Sequence, residues 1–123
     1  MTQKNIEVNG FDLTKNRCFV SDTLEYLKNS DPVFDVIILD PPAYAKHLSA
    51  KHNAIQGYKR LNTMAIKKIK KGGVLFTFSC SQIIDKKLFT DTVTSAAIES
   101  GRQIQILHHL SQPADHPVSI FHP

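Results

Sequence analysis

Two near-continuous apolar runs, VFDVIILD at 33–40 and VLFTFSC at 74–80, stand on either side of a helix-periodic stretch. This pairing constrains the fold more than any other feature of the chain. A β-branched run without polar alternation is what a strand buried on both faces of a parallel sheet looks like. Between the runs, Tyr58, Leu61, Ala65 and Ile69 fall at helical spacing, which predicts a helix over roughly 55–70 ended by Gly72-Gly73. A further helix is expected from about Asp85 to Ser100, with Leu88, Phe89, Val93, Ala96 and Ala97 on one face and Gly101 as its cap. QIQILHHL at 103–110 alternates like a strand more exposed on one side.

The N-terminal part reads as shorter elements. Residues 3–8 suit a helix stopped by Asn9-Gly10, and RCFVSD at 17–22 suits a short strand. Asp22 then caps a helix over about 23–29, with Glu25 at its third position in an acidic variant of the capping box. Strand, helix, strand, helix, strand, helix, strand is the α/β pattern, a parallel sheet with right-handed crossovers. With 123 residues and no repeat or linker-like stretch, the expectation is one domain over 1–123.

Composition narrows the class only a little. Hydrophobic content of 41% with 21% charged is ordinary for a globular chain, and no apolar run approaches the roughly 20 residues of a membrane span. The first residues lack an apolar signal core, so the cytoplasm is the expected compartment and no membrane partner is expected. Cys18 and Cys80 lie far apart, the six histidines show no paired spacing, and no metal site is predicted. The net charge of +4 permits a polyanionic partner. Its main cluster, KKIKKGG at 67–73, is read as solvating a helix end and complementing the helix dipole.

Ligands on α/β sheets sit at the carboxyl ends of the strands. Asp22, Asp40 and Cys80 are all expected at or just beyond such an end, which is the strongest physical pointer to a site. Asp40 is followed by Pro41 and Pro42, which fix two φ angles and remove two donors. That arrangement serves either as a rigid turn or as a held carboxylate, and an unpartnered carboxylate at the end of an apolar strand would be costly to bury. Cys80 is either a small buried hydrophobe or a nucleophile. The flanking Ser79 and Ser81 favour a polar loop and could donate to a thiolate. Cys18, inside the first expected strand, is read as packing, and Asp22 is accounted for by its cap.

FDVIILDPPAYAK, GYKRLNTMAIKKIKKGGVLFTFSCS and LSQPADHPV occur in this order, preceded by NIEVNGF. Together they resemble the catalytic part of class I S-adenosylmethionine-dependent methyltransferases of the 23S ribosomal RNA large-subunit type. Those are cytosine-carbon-5 enzymes that usually carry an N-terminal PUA domain. The resemblance covers nearly the whole chain. It implies a Rossmann-like, mostly parallel sheet, S-adenosylmethionine as cofactor and ribosomal RNA as partner. Cys80 then matches the nucleophile. Asp40 and Pro41 line the place where base and methyl donor meet, and Asp22 faces the adenine of the cofactor. Pro42, Tyr44 and Ser79 fall on the substrate side. Tyr44 either stacks on a base or packs within its loop.

The resemblance is partial. The five glycines form no GxG loop, nothing before residue 17 supplies the first two strands, and the chain stops at SIFHP where the family continues into a last strand. A fragment of the catalytic domain is therefore expected. In the family's strand order, 3-2-1-4-5-7-6, the missing strands leave an open apolar edge, and self-association or a displaced first strand would cover it. Two other readings stay open. One is an inert remnant that at most binds a partner. The other is an amino-methyltransferase with a [D/N]PP[Y/F] loop, from which Ala43 departs by separating Pro42 and Tyr44.

Overall fold

The computed structural model describes residues 2–31, 33–45 and 47–115. Pro32, Lys46 at the end of the first motif, and residues 116–118 of LSQPADHPV lie outside the described residues. The architecture is α/β, a partial Rossmann-like unit built from helices α1 (Thr2–Val8) and α2 (Thr23–Asn29), strand β1 (Phe34–Leu39), a single 3-10 turn (Leu48–Ala50), helix α3 (Lys51–Lys68), strand β2 (Ile69–Thr77) and helix α4 (Lys86–Ser100). The two strands pair in parallel, with Ile37 opposite Leu75 and Leu39 opposite Thr77. The Phe78 amide then donates to the Leu39 carbonyl at 2.9 Å, so the two chains leave the sheet together.

Local signals set the helix ends. Asp22 accepts the Glu25 amide at 3.0 Å and Asp85 accepts the Leu88 amide at 2.8 Å, each supplying a partner to an otherwise unpaired donor of the first turn. Gly101 closes α4 at φ 72°, a left-handed conformation that a side chain disfavours. Arg102 follows at once, and its guanidinium donates to the Ile66 carbonyl at 2.6 Å and to that of Ile69. A cation from beyond α4 thus caps the exposed carbonyls at the end of α3. Lys67 and Lys68 lie in the last turn of α3, and the Lys68 ammonium donates to the Ser30 carbonyl at the end of α2.

The centre of the molecule is α3. One side of it, through Leu61 and Ala65, packs with Leu27 of α2 and with Ile37, Leu39 and Ile69 of the sheet. Further along, Tyr58 and Ala54 join Ala45 and Ile84, with Phe89 of α4 packed against them. Lys59 meets Glu99 of α4 at 2.8 Å.

Four expectations are corrected. Residues 17–22 form no strand, and Cys18 is exposed instead of packed. Residues 103–110 form none either, and Ile104, Ile106, Leu107 and Leu110 are exposed. A strand holds its shape through hydrogen bonds to a neighbour, and among the described residues neither segment pairs with β1 or β2. Next, β1 is covered on one face only: Ile37 and Leu39 are buried, while Val36 and Ile38 are 54% and 67% exposed. A single helix layer accounts for this, since α3 covers the inner face alone. Finally, Gly72-Gly73 does not end the helix. That ends at Lys68, and the glycines lie within β2, where the register jumps from Phe34–Ile69 to Val36–Val74.

Candidate functional site

The loops that leave β1 and β2 meet. Asp40, Pro41 and Pro42 follow the first strand, and the Cys80 thiol faces the Pro41 carbonyl oxygen at 3.8 Å. Residues 39 positions apart in the chain are thereby placed together, as expected from their positions after two parallel strands. Cys80 is exposed, and with Ser81, Gln82, Ile83, Ala43 and Ala45 it lines a cleft of about 190 Å³. A larger open groove of about 320 Å³, between residues 19–21 and α2, holds none of the predicted site residues. The smaller cleft is the candidate site because the thiol lines it.

The serines on either side of the thiol do not serve it as donors. The Ser79 hydroxyl donates to the Tyr58 hydroxyl at 3.0 Å, and the buried Ser81 hydroxyl donates to the Ala45 carbonyl at 2.8 Å. The expectation that they hydrogen-bond a thiolate is corrected, because both are committed elsewhere: Ser79 ties the second loop to α3, and Ser81 ties it to the first loop. Asp40 is exposed, so the cost of burying its carboxylate does not arise. It lies one residue past β1, where the chain has already left the sheet.

Tyr44 sits at the rim, 40% exposed, with its ring edge-on to Tyr58 at 4.8 Å and 76°. Partial burial pushes its hydroxyl above the ordinary tyrosine value; the Tyr58 hydroxyl and the Asp22 carboxylate add to this, and the Arg60 cation opposes it. Tyr44 therefore keeps its proton near neutral pH and can donate. The same interaction puts Asp22 within electrostatic reach of the rim, although no strand precedes it. One Asp22 oxygen is used by the α2 cap.

Sequence reasoning placed Tyr58 in the core and did not connect it to the site. The available signal was its hydroxyl, since a tyrosine on a buried helix face must find that group a partner. Among the described residues no group of three or more His, Cys, Asp or Glu side chains is arranged to hold a metal ion. No described helix is long and apolar enough to cross a membrane.

No protein-family model matches the chain. Curated proteins do. The whole chain aligns over 126 positions, at 38% identity, with the ribosomal RNA large subunit methyltransferase I of Klebsiella pneumoniae subsp. pneumoniae, of which the alignment covers 32%. The proteins of the same name from Aeromonas salmonicida and Escherichia coli SMS-3-5 match at 38% and 37% identity, again over all of this chain and 32% of theirs. The chain is thus similar along its entire length to about a third of these relatives.

Proposed function

We propose that these residues are part of the catalytic domain of an S-adenosylmethionine-dependent methyltransferase acting on ribosomal RNA, at carbon-5 of cytosine, with Cys80 as nucleophile. The carrying observation is the 3.8 Å approach of the Cys80 thiol to the Pro41 carbonyl at the ends of two parallel strands. The names of the relatives support the RNA methyltransferase class, and the exposed thiol supports the carbon-5 chemistry, because an amino-methyltransferase has no use for it.

Carbon-5 of cytosine is a weak nucleophile. Addition of the Cys80 thiolate at carbon-6 sends the ring electrons toward N3 and makes carbon-5 enamine-like, dividing one hard step into easier ones. Asp40 stands on the neighbouring loop, where a carboxylate can stabilise charge developing at N3 and the exocyclic amine. Pro42, Tyr44 and Ser79 are assigned to the base side, Tyr44 by stacking or by its hydroxyl. Once carbon-5 is substituted, its proton leaves, the electron pair returns to the ring and the thiolate is expelled.

The cofactor, when bound, supplies an electrophilic methyl group. Asp22, Asp40 and the Pro41 carbonyl are assigned to it, since all three are acceptors suited to an amine, a hydroxyl or a cationic centre. None of the five glycines stands at a strand end beside them to let the backbone approach the rest. The second reading is an inert methyltransferase piece. Titration calorimetry with S-adenosylmethionine separates the two. We expect binding that Asp22→Asn, which keeps the cap, weakens by about tenfold. Absence of any binding heat sinks the cofactor reading for this chain.

We also propose self-association through β1. Its support is the exposure of Val36 and Ile38 and the lack, among the described residues, of a strand on the edge of β1 away from β2. Sedimentation velocity is expected to show a concentration-dependent dimer, and a monomer at every concentration excludes it.

A further inference from the structure

No side chain of α3 belongs to the predicted site, yet one of them reaches both loops that form it. Tyr58 is 0% exposed. Its ring stands edge-on to Tyr44 of the first loop and to Phe89 of α4, at 5.5 Å from the latter. Its hydroxyl accepts from Ser79 of the second loop. The Ser79 oxygen in turn accepts the Ser81 amide at 3.3 Å, and Ser81 reaches back to the Ala45 carbonyl. Cys80 is the residue in between. Its backbone is held from both sides while its side chain stays exposed. Directly before Tyr58, Gly57 also faces the Tyr44 ring: a Cβ there would meet Cδ2 at 3.4 Å and Cγ at 3.5 Å, ordinary van der Waals contact, so the ring lies against this turn of α3.

Filling this part of the core does not by itself require a tyrosine, because phenylalanine occupies nearly the same volume. What the hydroxyl adds is a fixed point, in a dry interior, for the loop that carries the thiol.

We infer that Tyr58 is a positioning residue for Cys80: its hydroxyl anchors Ser79, its ring seats Tyr44, and together they keep the thiol facing the Pro41 carbonyl. A nucleophile that must meet one atom of a planar ring along a narrow approach loses rate when its loop wanders. The catalytic importance of this placement rests on the reading of Cys80 as nucleophile; the placement itself rests on the contacts above.

The test uses the chain with Cys18→Ala, which leaves Cys80 as its single thiol. Tyr58→Phe, Ser79→Ala and the double variant are compared by two measurements. One is the rate of Cys80 alkylation by iodoacetamide at a pH where the thiol is fully ionised, which reads access and not acidity. The other is hydrogen exchange of the Ser81 amide. Tyr58→Phe is expected to raise both by about two- to tenfold, the range of one net hydrogen bond. Ser79→Ala, which also removes the acceptor of the Ser81 amide, raises them more, and the double variant matches Ser79→Ala because the shared bond is already gone.

Unchanged alkylation and exchange in Tyr58→Phe overturn the inference, as does a double variant in which the two effects add. Should Tyr58→Phe fail to fold, Ser79→Ala decides, and unaltered alkylation there overturns it as well. In methyl transfer, Tyr58→Phe should lower kcat and leave KM unchanged. Full activity in Cys80→Ala would reject the nucleophile while the alkylation and exchange results still report on the anchoring, so the two failures are distinguishable.

Discussion

Alanine at Cys80 is expected to bring methyl transfer to ribosomal RNA down to background and to leave stability within about 0.5 kcal/mol of the parent. The two halves of this result have separate causes. Cys80 is exposed, and its one polar contact among the described residues is the long approach to the Pro41 carbonyl, so its removal opens no cavity. The anchoring bonds come from Ser79 and Ser81 and stay in place. In the proposed mechanism, by contrast, the chemistry has no substitute for the thiolate: without addition at carbon-6, carbon-5 would stay unreactive. Transfer of a labelled methyl group from S-adenosylmethionine, followed beside urea unfolding, measures both halves. Undiminished transfer in Cys80→Ala removes Cys80 from the mechanism. Serine at the same place keeps the hydrogen-bonding capacity and loses nearly all nucleophilicity, so it should be as inactive as alanine.

The largest expected effect on stability comes from Gly73→Ala, at about 3 kcal/mol, the upper end for forcing atoms into a packed region. A Cβ at this position would lie 2.7 Å from the carbonyl oxygen of Asp35, with the Lys70 carbonyl at 3.1 Å and Ile69 Cγ1 at 3.3 Å. Two of these three atoms are backbone, and Asp35 belongs to the strand paired with β2, so neither side can yield without opening the ladder. The geometry follows from the register. Phe34 faces Ile69 and Val36 faces Val74, so the residues from Lys70 to Gly73 must all be accommodated against Asp35 alone. Lys70 steadies this excursion with two contacts to the Asp35 carboxylate, at 2.8 and 2.9 Å. Gly72 provides the internal control. It has φ +80° and no atom within 4 Å of its would-be Cβ, so Gly72→Ala costs only the left-handed backbone penalty of about 1–2 kcal/mol. Urea midpoints of the two variants should therefore differ. Equal midpoints would show that the close approach of Gly73 to β1 is not what sets the cost.

Features governed by neighbouring residues were legible in the sequence. Asp22 and Gly101 begin and end helices through bonds that span three or four positions, and each was found where its chemistry put it. The βαβ core was legible too, because the apolar runs around 34–39 and 74–77 differ in kind from the helix between them. So was the approach of Cys80 to Pro41, which needs only that two parallel strands deliver their ends to one side. Strands at 17–22 and 103–110 were not decidable in this way. Their residues say that they can pair, but pairing also requires a neighbour, and that is a property of the sheet and not of the segment. The partner of the Ser79 hydroxyl was equally out of reach, since Tyr58 lies 21 positions earlier on a helix whose rotation about its own axis the sequence does not state.

The Arg102 clamp bears on the order in which this chain can assemble. Its two carbonyl acceptors lie 36 and 33 positions upstream, so the last turn of α3 is completed by a side chain that arrives only after α4 has formed and docked. Until then those carbonyls are left to water and the helix end frays, along with Ile69, which opens β2. The end of α3 and the start of β2 are therefore coupled to the docking of α4, so that loosening the Arg102 contacts frays both together.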